Sequence, residues 1–261
     1  MNYAFVGLGN MASAIIRGMQ KNPTFREVVI LGHDHHPEKA AELPLHFCET
    51  LEELTGQADV LLLCVKPHAL EGLLTQLRPL LGPSCIVASV AAGKPISWYE
   101  ERLPALPFIR VMPNINARVN AGTSAVCGGS RAKPEHVALI KDIFDAVGSA
   151  FELEERHFSA FSAIAGAAPA YTYLYIDALA SAGVKAGLPK AAALSIAADM
   201  VQGSAKLLLE SGEHPAALAD RVCSPGGTTI EGLHRLRALG FESAVYDAID
   251  AVIQKDRSLG S

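Results

Sequence analysis

Two short stretches of this chain combine residue types and spacings that suit the binding of a charged ligand. The first is Tyr3-Ala-Phe-Val-Gly7-Leu-Gly9-Asn-Met-Ala12, an apolar run that breaks into G-x-G-x-x-A. In such a turn Gly7 permits the tight bend, Gly9 lets the backbone approach a pyrophosphate, and Ala12 is small enough for the following helix to pack on the strand. A diphosphate would lie on the free N–H groups at the helix start, where the macrodipole is positive. Glycine-rich turns also close strand–helix units that bind nothing, so the neighbourhood has to decide. The second stretch is Ser224-Pro-Gly-Gly-Thr-Thr-Ile230. Its glycines free the backbone and its hydroxyl residues precede a helix expected over about 230–239, an arrangement suited to a small carboxylate or, more blandly, to capping that helix. A third point, Val65-Lys66-Pro67-His68, leaves the end of an apolar run. In a doubly wound sheet that exit places Lys66 and Pro67 at the border of a bound nucleotide.

The elements needed to hold these points are visible in the apolar pattern. After the glycine turn, Ala14, Ile15, Gly18 and Met19 form a helical stripe and Glu27-Val-Val-Ile-Leu31 supplies a second strand, completing a β-α-β unit. Further strands are predicted at 60–65, 85–90, 108–112, 123–126 and 150–153, with a helix over 69–81 between the first two. Apolar runs without alternation fit a mostly parallel sheet covered on both faces. From about residue 155 the texture changes to alanine-rich helices. Tyr171, Leu174, Tyr175, Ala178, Leu179 and Ala182 recur at helical spacing, and helices this apolar are expected to bury a face against a second subunit. The fold class is therefore α/β: a Rossmann-like dinucleotide-binding domain over 1–154, followed by an all-helical dimerisation and substrate domain over 155–261.

Composition narrows the partners. The 261 residues are 50% hydrophobic and 19% charged, which fits a well-cored globular chain, and the formal charge of −5 gives no global attraction to nucleic acid or to anionic membranes. The five cysteines, Cys48, Cys64, Cys85, Cys127 and Cys223, show no C-x-x-C spacing and are read as buried reduced thiols, with no metal expected. No leader is expected ahead of the first strand, and no uncharged apolar run reaches the ~18 residues of a membrane span. A cytoplasmic location is the expectation.

The segments Met112-Pro-Asn-Ile-Asn-Ala-Arg-Val-Asn-Ala-Gly122, Ala168-Pro-Ala-Tyr171, Ala182-Gly-Val-Lys-Ala-Gly-Leu-Pro189, Gly203-Ser-Ala-Lys206, Gly212-Glu-His-Pro215 and Val222-Cys-Ser-Pro-Gly-Gly-Thr-Thr-Ile230 resemble those of the pyrroline-5-carboxylate reductases. The resemblance spans nearly the whole chain and is most specific around 224–229. It implies reduction of a cyclic imine to L-proline with NADPH or NADH, the last step of proline biosynthesis, by a homodimer interleaved through its helical domain. A higher oligomer of dimers stays open. Carried onto this sequence, it implies that Ser224, Gly226, Gly227 and Thr228 hold the substrate carboxylate while the Thr229 hydroxyl reaches the ring nitrogen. The cofactor would be held by Gly7, Leu8, Gly9, Asn10, Met11, Ala12, Asp34, His35, Val65, Lys66, Pro67 and Asn114. The absence of a Ser-His-Asp or paired-carboxylate arrangement agrees with chemistry that rests on alignment and polarisation of C=N.

The chain departs from the family pattern at two places. Ala165-Gly-Ala-Ala-Pro-Ala170 stands where Ser-Gly-Ser-Gly-Pro-Ala is common, and Ile115-Asn116 follows Met-Pro-Asn where Thr-Pro is usual. Two hydroxyls and a proline are missing, which leaves a related cyclic imine open as substrate. Cofactor choice is open too. Asp34 suits the ribose 2′-OH of NADH, whereas His33, His35 and His36, when protonated, suit a 2′-phosphate. Two other classes remain at this stage. One is a non-catalytic NAD(P)H sensor signalling through its dimer; the other is a β-hydroxyacid dehydrogenase relative, for which Lys185 and Lys206 would be the candidate lysines.

Overall fold

The apolar runs become strands because each can bury both of its faces. In β1 (Asn2–Val6), Tyr3 and Phe5 point into one core while Ala4 and Val6 point into the other. In β4 (Val60–Leu63), Val60 and Leu62 take the first side, Leu61 and Leu63 the second. Side chains alternate with a period of two, so a continuous apolar run feeds two cores, and each fully buried Leu or Phe contributes about 1.5–3 kcal/mol. The remaining strands are β2 (Val29–His33), β3 (His46–Phe47), β5 (Ile86–Ser89), β6 (Phe108–Met112), β7 (Gly122–Gly128) and β8 (Gly148–Glu152). Together they form one sheet in the order β3-β2-β1-β4-β5-β6-β7-β8. The first six strands of that order run parallel. β7 is antiparallel to β6, and β8 is parallel to β7.

The sheet is thus mostly parallel, as its run-like strands require. The two-residue β3 is too short to carry any periodic signal and was not legible in the sequence. Helices α1 (Asn10–Lys21), α2 (Leu51–Thr55), α3 (Leu70–Leu77), α4 (Ile96–Arg102) and α5 (Pro134–Asp145) connect the strands. α1 is amphipathic: Ala12, Ile15, Ile16 and Met19 are buried, and Lys21 sits at its negative end. On the opposite side of the sheet Tyr99 stacks on Phe108, with ring centroids 4.1 Å apart, and its hydroxyl bonds the buried Ser89 hydroxyl at 2.9 Å. All five cysteines are free, and burial pushes the Cys64 and Cys85 thiols up to about 12, so both are neutral at physiological pH.

The structure describes residues 1–260 of this computed structural model, and they separate into two units. The sheet unit comprises Met1–Gly166 and takes back the end of the last helix from Ile253 on; the helical unit is Ala167–Val252. The sheet unit closes with α6 (Phe158–Phe161) and a π-helical segment, Ser162–Ala167. The helical unit contains α7 (Ala168–Lys185), α8 (Lys190–Ser211), α9 (Pro215–Val222) and α10 (Thr228–Ala238), and α11 (Phe241–Gly260) runs from it back to the sheet unit. The helical unit buries very little of itself. Leu174 is 71% exposed, Leu209 83%, Leu239 70% and Tyr246 70%, a density of bare apolar side chains that marks a surface made to be covered. By length and composition α8 is the one helix among the described residues that could cross a membrane, although Asp199 and Lys206 interrupt it.

An ion-pair network secures the end of the sheet unit. Glu155 Oε1 accepts from Arg110 Nη1 at 2.8 Å and from the Ile96 N–H at the start of α4 at 2.7 Å, and the Arg110 guanidinium lies 4.7 Å from the Phe158 ring centroid. β6, α4 and the chain leading into α6 meet on that one carboxylate. Because Arg110 is largely buried, Glu155→Gln should leave its charge poorly compensated and lower stability by about 1–3 kcal/mol. The measurement is the urea midpoint; an unshifted midpoint would show that the network contributes nothing.

Candidate functional site

The glycine turn is built by close approach. Gly7 has φ +89°, and a Cβ there would stand 2.9 Å from the Cys64 carbonyl oxygen, so β1 and β4 come together at this residue as only glycine allows. The Gly7 N–H donates to the His33 carbonyl at 2.9 Å, which ties the turn to the end of β2. Gly9 is the opposite case. Nothing lies within 4 Å of a Cβ placed on it, so the space over its backbone is open to a ligand. Gly9 also occupies the N-cap position of α1, where no side chain caps the helix and no acid stands in the first turn. The first N–H groups therefore face that space unpaired, the arrangement an anion requires.

A cleft of about 670 Å³ opens at this point. It is lined by Gly9, Asn10 and Met11 from the turn, by Cys64, Val65, Lys66 and Pro67 after β4, by Val90, Ala91 and Ala92 after β5, and by Pro113, Ile115 and Arg118 after β6, with Lys39 at one end. All of these loops leave the carboxyl ends of parallel strands, the position where open α/β sheets bind ligands. Six expected cofactor residues, Gly9, Asn10, Met11, Val65, Lys66 and Pro67, thus share one cavity. Gly7 and Ala12 lie buried beneath it and shape it, and the Leu8 side chain is buried in the core. His35 is exposed and outside the lining of the cleft.

Two expected residues are engaged elsewhere. Asn114 is buried; its amide donates to the Ala165 carbonyl at 3.0 Å and accepts from the Thr123 N–H at 3.0 Å. It thereby joins the β6 exit, β7 and the π-helical segment, while its neighbours Pro113 and Ile115 face the cleft. Asp34 directs its carboxylate inward. Oδ2 accepts from the Leu8 N–H at 2.8 Å, Oδ1 from the His36 N–H at 2.9 Å, and Lys39 Nζ reaches both oxygens at 3.1 and 3.0 Å. Burial raises its pKa, but the hydrogen bonds from Lys39, Leu8 and His36 outweigh burial and hold the carboxyl below its ordinary value. Sequence reasoning did not find Lys39, Arg118 or the 90–92 loop. The strand-end rule applied to β5 and β6 would have pointed to the last two; Lys39 carried no motif at all.

In the helical unit, Ser224 to Thr229 form the connection between α9 and α10. Gly226 has φ +67°, the Gly227 N–H donates to the Ser224 carbonyl at 2.9 Å, and a Cβ on Gly227 would collide with the Ser224 hydroxyl. α10 starts at Thr228, earlier than the sequence suggested, so Thr228 and Thr229 belong to its first turn together with Glu231. Gly227 is the N-cap residue and supplies no side-chain cap, leaving the N–H groups of that turn beside the Ser224, Thr228 and Thr229 hydroxyls. The N-cap position of α10 makes no side-chain hydrogen bond to the helix. Lys185 and Lys206 are exposed, and Lys206 lies 3.7 Å from Glu210 on the surface of α8. Elsewhere, His46, Cys48 and Glu53 bring their ligating atoms within 4.8 Å of one another, with Cys48 buried and the other two exposed.

The chain is 36% identical over 260 residues to pyrroline-5-carboxylate reductase of Escherichia coli, covering 98% of this chain and 97% of that one. It belongs to the pyrroline-5-carboxylate reductase family. Its residues 155–259 match the family profile described as pyrroline-5-carboxylate reductase dimerisation, the region of bare apolar helices, and residues 2–93 match the profile described as NADP oxidoreductase, coenzyme F420-dependent. Among solved structures, the Streptococcus pyogenes 1-pyrroline-5-carboxylate reductase is 38% identical with a TM-score of 0.85, covering 99% of this chain and 98% of that one. The Plasmodium falciparum pyrroline carboxylate reductase, solved with NADP bound, is 28% identical with a TM-score of 0.87, covering 100% and 98%.

For this family member the contrast between the two glycines gives a direct test of the cleft. Gly9→Val places a Cβ where no protein atom lies within 4 Å, so the fold should persist while NADPH affinity falls at least tenfold by calorimetry. Unchanged affinity would remove the turn from the site.

Proposed function

We propose that the chain is an NADPH-dependent pyrroline-5-carboxylate reductase, with NADH as an alternative cofactor, which reduces the C=N bond of the cyclic imine to give L-proline. The reading rests on one coincidence: an open, uncapped glycine turn and an uncapped Ser224–Thr229 turn occur in a single chain of this family, in the family's order. By function the chain is divided into a dinucleotide-binding domain, 1–154, and a helical dimerisation and substrate domain, 155–261, although residues 155–166 and those from Ile253 on pack with the sheet unit. When bound, the reduced nicotinamide supplies the hydride. Gly7, Leu8, Gly9, Asn10, Met11 and Ala12 form the pyrophosphate turn, Val65, Lys66 and Pro67 border the nicotinamide side, and Asn114 acts from behind by holding the β6 exit. Asp34 and His35 stand at the ribose end.

The chain's part in the reaction is placement. Backbone N–H groups and hydroxyls around Ser224, Gly226, Gly227 and Thr228 take the substrate carboxylate, and the Thr229 hydroxyl donates toward the ring nitrogen, whose basicity rises as the imine becomes an amine. A hydrogen bond that strengthens along the reaction lowers the barrier without requiring a charged acid. The bare apolar faces of α7, α8 and α10 are the surface of a homodimer, which is expected in the cytoplasm. Light scattering at micromolar concentration should give a multiple of 27.5 kDa, and a monomer would refute the dimer.

The activity test is oxidation of NADPH and NADH with pyrroline-5-carboxylate, run beside its six-membered analogue because Ala165 and Ala167 replace two hydroxyl residues. Nucleotide binding without imine-dependent oxidation would favour a sensor. In Thr229→Val, fold and nucleotide affinity should persist while kcat/KM falls roughly ten- to a hundredfold, about 1.4–3 kcal/mol. Normal turnover by Thr229→Val would overturn the role of that hydroxyl.

A further inference from the structure

An acid immediately after β2 ordinarily selects NADH, because its carboxylate accepts the ribose 2′-OH and repels a 2′-phosphate. Asp34 stands at that position, one residue beyond the end of β2, and its Oδ2 bonds the Leu8 N–H inside the glycine turn. Its acceptor capacity is nevertheless filled. A carboxylate offers about four lone-pair positions, and here two backbone N–H groups and a doubly placed ammonium occupy them. A ribose hydroxyl can therefore reach this carboxylate only by displacing a donor, and Lys39 is the one able to leave. The Asp34 side chain is 8% exposed, whereas that of Lys39 is 40% exposed, and Lys39 is joined to Asp34 only through the flexible end of its side chain.

Lys39 also stands where a nucleotide's ribose end would lie. It borders the 670 Å³ cleft and a neighbouring cavity of about 400 Å³, and the two share Gly9, Asn10 and Lys39. The lining of the second cavity also includes Ser13, Arg17, Glu38 and Glu42. Arg17 lies 3.7 Å from Glu42 and remains half exposed, so a cation other than Lys39 faces the same space.

We propose that the Asp34–Lys39 ion pair sets nucleotide selectivity and admits both cofactors: Lys39 seated on Asp34 cancels the carboxylate's charge and receives a 2′-phosphate, while Lys39 turned outward frees Asp34 to accept the 2′-OH of NADH. The pair is then the specificity-determining element of the nucleotide site, and Asp34 alone is not. This rests on the nucleotide-dependent reductase reading and assigns it a residue that carries no motif.

The test is the dissociation constant of NADPH and of NADH for the full chain without substrate, measured by calorimetry or by nucleotide fluorescence. In Lys39→Met the bare carboxylate should exclude the phosphate, so NADPH should weaken about tenfold or more while NADH, freed from competition with the ammonium, binds as tightly or more tightly. The salt dependence of NADPH binding should shrink in the same variant, since a cation that meets the phosphate is gone. Lys39→Arg should restore NADPH, and Asp34→Asn should weaken NADH while keeping NADPH. Equal changes for the two nucleotides in Lys39→Met would overturn the proposal alone. Wild-type protein that binds neither nucleotide would overturn the reductase reading and this one with it.

Discussion

The nucleotide end of this protein depends on a steric constraint at Gly7. Two parallel strands approach each other so closely there that the carbonyl of Cys64 occupies the space a side chain would need, and the backbone turns through a conformation that other residues avoid. That proximity sets where α1 begins, and hence where its unpaired N–H groups point. It also brings Leu8 within a hydrogen bond of Asp34 and the loop after β4 to the rim of the cleft. Gly9 can then leave open space above its backbone because the turn beneath it has no freedom left.

The same logic explains what the sequence disclosed. The parallel sheet was legible because β1, β4, β5 and β6 are buried on both faces and so are apolar in runs, broken only by Ser89 in β5, Arg110 in β6 and Asn2 at the start of β1. The glycine turn was legible because its steric demands restrict residue type. The Ser224–Thr229 turn was noticed for its composition, but its helix starts two residues earlier than its apolar pattern suggests, since Thr228 and Thr229 are exposed and give no periodic signal. β3 has two residues and no period to read. Lys39 and the inward engagement of Asn114 were illegible for a different reason: both depend on partners far along the chain or across a loop, and residue type alone does not say whether an amide or ammonium faces a ligand or the protein.

Asn114 and Glu155 do related jobs by different chemistry. The amide of Asn114 bridges three segments with neutral hydrogen bonds in a buried place, where leaving either amide atom unmatched would cost free energy. Glu155 performs its bridging nearer the surface with a charge and a cation partner. Both tie β6 to later chain, Glu155 just ahead of α6 and Asn114 to the π-helical segment that contains the departures Ala165 and Ala167. With Asn114 holding the Ala165 carbonyl, the backbone of that segment is fixed by a bond that does not depend on the hydroxyls the family commonly carries.

The return of α11 has a consequence for how the molecule is made. Ser159 donates to Asp256 at 2.7 Å, and the residues from Ile253 on belong with the sheet unit although the whole helical unit precedes them in the chain. The helical unit is therefore an insertion whose two ends are both fastened to one body. On the ribosome, the first 166 residues can assemble their strands in order and still lack their final piece until the entire helical unit has been translated. A cut anywhere within the helical unit would leave the two parts of the sheet unit on separate fragments, joined only by contacts such as the Ser159–Asp256 bond.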